Sequence, residues 1–124
     1  MKKHHVLIVD DNPEIRSLIF TTLGETFFTL GEAANGAQAL DYLTRHDLPD
    51  VMILDLAMPG ISGIQVMEQV KGDPETAHIE VVVLSANADQ QAQNNLLTMG
   101  AAAILAKPFS PLELLQTVEA LFDQ

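Results

Sequence analysis

The feature that most limits the fold is an apolar run that recurs five times, each time followed by a turn and a stretch of helical periodicity. The runs are Val6-Leu7-Ile8-Val9, Phe27 to Ala33, Val51-Met52-Ile53-Leu54, Val81-Val82-Val83-Leu84 and Ala102 to Ala106. Gly31 and Glu32 interrupt only the second. Runs of this length without alternation are expected as strands buried on both faces, which means a parallel sheet.

Helical stretches fill the intervals. Pro13 suits a first turn, with Asp11 or Asn12 as cap, and Ile15, Leu18, Ile19, Thr22 and Leu23 follow at helical spacing. Asn35-Gly36 is a turn, and Ala37, Leu40 and Leu43 stripe a second helix that must end before Pro49. A third runs from about Ile64 to Val70 and is broken by Gly72-Asp73-Pro74. The fourth, Ala88 to Met99, is polar and is closed by Gly100. Ser110-Pro111-Leu112-Glu113 is a capping box opening the last helix, lined by Leu114, Leu115, Val118, Leu121 and Phe122. Right-handed crossovers place helices on both sides of the sheet. The expected fold is therefore α/β, a doubly wound five-stranded parallel sheet, in one domain spanning residues 1–124.

The charge balance narrows the partners. Seventeen acidic residues face six basic ones, a formal net charge of −11, which opposes direct nucleic-acid binding. No apolar run approaches the roughly 20 residues of a membrane span, and the start lacks a signal-peptide pattern. With no cysteine there is neither a disulfide framework nor a thiolate zinc site, which fits a cytoplasmic location.

Doubly wound sheets bind ligands at the carboxyl ends of their strands. There the first strand ends in Asp10 and Asp11, the third in Asp55, the fourth in Ser85 and the fifth in Lys107. Taken singly, Asp11 reads as a helix cap, Asp10 as an exposed turn residue, Ser85 as a loop residue and Lys107 as a solvated amine. Taken together they ask for one explanation. Three carboxylates close together need compensation, and an oxygen-only set of this kind suits magnesium. A carboxylate beside a hard cation and a lysine is a place to receive a phosphoryl group, with Ser85 donating to its oxygens.

The segments Leu-Ile-Val-Asp-Asp-Asn, Leu-Asp-Leu-Ala-Met-Pro-Gly-Ile-Ser-Gly, Leu-Ser-Ala and Lys-Pro-Phe, in this order, resemble the receiver domains of bacterial two-component response regulators. The resemblance covers essentially the whole chain and implies the flavodoxin-like (βα)5 receiver fold. It implies that Asp55 is the phosphoacceptor. Asp11 would bind Mg2+ directly, Asp10 mostly through water, and the Ala57 backbone carbonyl would complete the protein's share of the shell. Ser85 would be the switch hydroxyl, and Lys107 would pair with the phosphoryl group and precede a cis bond to Pro108. The implied partners are a histidine kinase or a phosphotransfer protein, and small phosphodonors can serve as well. A homodimer is compatible with the resemblance. It implies a phosphoacceptor assisting its own phosphorylation and dephosphorylation, not a conventional enzyme.

One position departs from the family pattern. Three residues before the lysine, where an aromatic switch residue is usual, stands Ile104. Ala57 and Asn87, two beyond Asp55 and Ser85, are smaller than the family's usual shields against water. Three rivals are weaker. A flavin binder of this topology needs a phosphate-cradling loop of backbone amides, whereas Asp10-Asp11-Asn12-Pro13-Glu14 is acidic. A magnesium phosphatase with a nucleophilic aspartate wants that residue on the first strand and a second acid two places on, where Ala57 stands. A degenerate receiver acting as a protein-binding scaffold would not need the complete acidic pocket. The five units use up the chain, so no output domain is expected within it.

Overall fold

The computed structural model describes residues 4–45, 47–86 and 89–122. Its order is β1 (His4–Val9), α1 (Pro13–Leu23), β2 (Phe28–Ala33), α2 (Gly36–Arg45), β3 (Val51–Asp55), α3 (Gly63–Gly72), β4 (Glu80–Ser85), α4 (Gln90–Thr98), β5 (Ala103–Ala106) and α5 (Pro111–Phe122). The expected positions Asn87 and Ala88 lie outside the described residues.

All strand pairs are parallel, in the order β2-β1-β3-β4-β5. Successive side chains of a strand point to opposite faces. The unbroken apolar runs therefore feed two cores at once. Leu7, Val9, Met52, Leu54, Val81 and Val83 pack with Ala39 of α2, Val66 and Met67 of α3 and Leu96 of α4. Val6, Ile8, Ile53, Val82 and Leu84 pack on the other face with Ile19 of α1 and Leu114 and Val118 of α5.

Burial on both faces holds for β1, β3 and β4 but not for all five strands. In β2, Thr29 and Glu32 are exposed, and in β5 only Leu105 is buried. These are the two edges, each with a single neighbouring strand. That position accommodates the exposed Glu32, whereas Gly31 makes room for the Tyr42 ring of α2, which a Cβ there would overlap.

Capping fixes where the helices start. Asn12, not Asp11, caps α1, its side chain accepting from Glu14 N at 2.9 Å. Asp89 caps α4 by accepting from Gln91 N at 2.7 Å. The Ser110–Glu113 capping box forms in both directions.

Candidate phosphoryl-acceptor site

Strand register assembles the site. Val9 pairs with Leu54, Asp55 with Leu84, and Ser85 with Ala106. One step beyond these pairs, Asp10, Asp55, Ser85 and Lys107 share one edge of the sheet. With Asp11 and Ala57 they line a cleft of about 580 Å³.

Asp10 is fully buried, so the reading of it as an exposed residue fails. Its Oδ1 accepts from Asn12 N at 2.9 Å, and its Oδ2 lies 3.1 Å from Lys107 Nζ. Asp55 is 4% exposed. Its Oδ1 lies 3.2 Å from Lys107 Nζ and accepts from Ala57 N at 3.3 Å. Lys107 is itself tied back, its backbone N donating to Ser85 O at 2.9 Å, and its bond to Pro108 is cis. Ser85 is buried in the cleft wall. Asp11 is exposed and is left free of capping by Asn12.

Gly63 brings the first turn of α3 against the backbone of Asp55. A Cβ there would overlap the Asp55 carbonyl and Leu56 Cα. The Ser62–Gln65 capping box and the bond from Gly63 N to Leu56 O, 3.3 Å, hold that approach.

One ammonium serves two buried carboxylates, and a third stands beside them. Burial, and then the charge of Asp10, push the Asp55 carboxyl above its ordinary value; Lys107 and the Ala57 amide pull it only partly back. Burial lowers the Lys107 amine, but hydrogen bonds and charge from Asp10 and Asp55 outweigh it and leave it above the usual value. Carboxylate oxygens of Asp10, Asp11 and Asp55 all lie within 4.8 Å of one another. An all-oxygen donor set still carrying excess negative charge fits a hard divalent cation such as Mg2+.

Ile104 packs against the core on the α2–α3–α4 face and is partly buried. It pairs with Val83 rather than lining the cleft. A second hollow, about 470 Å³, lies between the C-terminal ends of α2 and α3, lined by Leu40, Leu43, Leu48 and Val70. Among the described residues its acids, Asp73 and Glu75, form no ion pair.

The sequence reading missed Arg16. Its Nη1 donates to the Asp10 carbonyl at 2.7 Å, and its Nε lies 3.4 Å from Glu32 Oε1. A cation near a helix N-terminus opposes the helix dipole. In a chain with six basic residues, that placement was the available signal.

Comparison with known proteins identifies the family and the fold. Residues 6–119 match the family model described as the response regulator receiver domain. Sporulation initiation phosphotransferase F of Bacillus subtilis is 33% identical over 119 residues, covering 96% of this chain and 94% of that protein. The phosphate regulon transcriptional regulatory protein PhoB of Pseudomonas aeruginosa is 34% identical over 116 residues, covering 94% of this chain and 50% of that protein. The chain spans half or less of the length of several curated relatives it matches. Among solved structures, the chemotaxis protein CheY4 of Vibrio cholerae superposes with a TM-score of 0.88 at 28% identity, covering 97% of this chain and 99% of that one.

Proposed function

The chain belongs to the response regulator receiver domain family, and from that membership we propose that Asp55 is the residue through which it works. The family's role is that of a phosphoacceptor in two-component signalling, and that role is this chain's. The observation that carries the assignment is the pairing of buried Asp55 with Lys107 at 3.2 Å, inside a cleft that Asp10 and Asp11 share.

The chemistry follows from that arrangement. A carboxylate oxygen of Asp55 forms a bond to phosphorus as the bond from phosphorus to the donor's nitrogen or oxygen breaks, the electron pair leaving with the donor. Lys107, already held toward the cleft by Asp10, is placed to neutralise a phosphoryl oxygen. Ser85 is placed to donate a hydrogen bond to another. Asp10, Asp11, Asp55 and the Ala57 carbonyl would hold Mg2+. The ion, when bound, supplies charge neutralisation for phosphoryl oxygens that three carboxylates would otherwise repel. In the β1–α1 turn Asn12 N donates to Asp10 Oδ1, and Asp10 and Asp11 both line the cleft.

The donor we assign is a histidine kinase or a phosphotransfer protein, with small phosphodonors as substitutes, and the compartment is the cytoplasm. On this reading the chain is the acceptor in the reaction and not a conventional enzyme. Incubation with acetyl phosphate in the presence of Mg2+ should add one phosphoryl group per chain, and a chelator should prevent it. Equal incorporation with and without the chelator would contradict the proposal.

A further inference from the structure

Arg16 links three elements. It sits on α1, reaches back to the end of β1 and pairs across to Glu32 on the edge strand β2. Its side chain is only 19% exposed, whereas that of Glu32 is 43% exposed. The two contacts are unequal: the bond to the Asp10 carbonyl is 2.7 Å, while the ion pair with Glu32 is 3.4 Å at a largely wet partner. A pair of the second kind contributes little by itself.

The carbonyl that Arg16 grips belongs to the peptide joining Asp10 to Asp11. The orientation of that peptide sets the direction in which Asp11 leaves the chain. Asp10 is fixed by other means, since Asn12 and Lys107 hold its carboxylate. Asp11 is exposed, and no hydrogen bond or ion pair to its side chain is found among the described residues. Its position therefore depends on its backbone. The guanidinium also adds a second positive charge behind the acidic pocket, where, among the described residues, Lys107 is the one cation paired with Asp10 and Asp55.

We propose that Arg16 is a positioning residue for the metal site, acting through the Asp10–Asp11 peptide, with Glu32 only steering the guanidinium. This rests on the reading that Asp10, Asp11 and Asp55 hold Mg2+. Losing a partner that orients a metal ligand weakens metal affinity by about tenfold or more. A mere brace of α1 on β2 would instead lower stability and leave metal affinity alone.

Mg2+ alone is titrated calorimetrically into the wild-type chain and into Arg16→Met, Arg16→Lys, Glu32→Gln and Asp11→Ala, with amide NMR spectra recorded for each. Arg16→Met should lose about tenfold in Mg2+ affinity. Arg16→Lys, which keeps the charge but not the planar fork, should fall between it and wild type. Glu32→Gln should stay near wild type. Arg16→Met binding Mg2+ as the wild type does, or Glu32→Gln losing as much as Arg16→Met, would overturn the proposal. If Arg16→Met does not fold, Arg16→Lys decides, and full affinity in it overturns the proposal. A wild-type chain that fails to bind Mg2+, or an Asp11→Ala variant that binds it unchanged, overturns the metal-site reading itself and this proposal with it.

Discussion

Lys107 Nζ stands 3.1 Å from Asp10 Oδ2, joining the end of β5 to the end of β1 across the middle of the sheet. The same ammonium must also serve Asp55, at 3.2 Å, so neither buried carboxylate has a cation to itself. The consequence is read in the pH dependence of folding. Asp55 holds its proton more tightly in the folded chain than in the unfolded one, where the value is 3.8. A raised carboxyl value contributes stability that is present below pH 3.8 and is lost as pH rises through the folded value. As pH rises above 3.8 the buried Asp55 carboxyl therefore becomes a burden on the metal-free fold. With a chelator present, Asp55→Asn should unfold at higher urea than wild type at pH 7, with the advantage shrinking toward pH 4. A variant less stable than wild type at pH 7 would contradict this.

Adding Mg2+ should reverse that burden. A ligand at 100 times its Kd stabilises the state that binds it by about 2.7 kcal/mol. Thermal unfolding should shift up with Mg2+ in the wild type and much less in Asp11→Ala. Without metal, Asp11→Ala should unfold near the wild-type temperature, because Asp11 is exposed. An Asp11→Ala variant as responsive to Mg2+ as wild type would remove Asp11 from the metal shell.

Ala57 is exposed at the cleft and has only a methyl group to place beside Asp55. Water should reach the phosphoryl group readily there. Replacing Ala57 by a bulky residue should slow dephosphorylation several-fold while leaving the metal shell intact, since only its backbone oxygen is assigned to the ion. Phosphate release followed over time measures this, and an unmoved half-life would count against shielding at this position.

Much of this was legible in the chain because alternate residues of β1, β3 and β4 each meet an apolar core, leaving runs with no polar break. The site was legible for a related reason: strand ends are where apolar runs stop, so Asp10, Asp55, Ser85 and Lys107 are marked by position. What did not show was tertiary. Gly63 looks like any loop glycine until α3 is seen to press on the Asp55 carbonyl. Arg16 looks like a solvated helix residue until its reach to Asp10 and Glu32 is known. The edge character of β2 and β5 follows from strand order, which periodicity does not encode.

Ile104 should make the response to phosphorylation uneven. It is β-branched, stiff at its first torsion and without a polar tip, so inward and outward rotamers differ little in solvation. A two-state element needs a free-energy difference to follow a ligand. Helix α4 buries only Leu96 and is the better candidate to shift. Beryllofluoride, a phosphoryl mimic, should move the amide signals of residues 85–89 strongly and those of β5 weakly. Large rearrangement at Ile104 with α4 unmoved would restore a relay through β5.

The proposed role of Asp55 as carrier of the phosphoryl group is open to a direct labelling test. Wild type and Asp55→Asn, each treated with acetyl phosphate and Mg2+, are digested and the adduct located by mass spectrometry. The expected result is a single modified peptide containing Asp55 in the wild type, and loss of that label in Asp55→Asn. Undiminished labelling of Asp55→Asn, or an adduct on any other residue of the wild type, would contradict it.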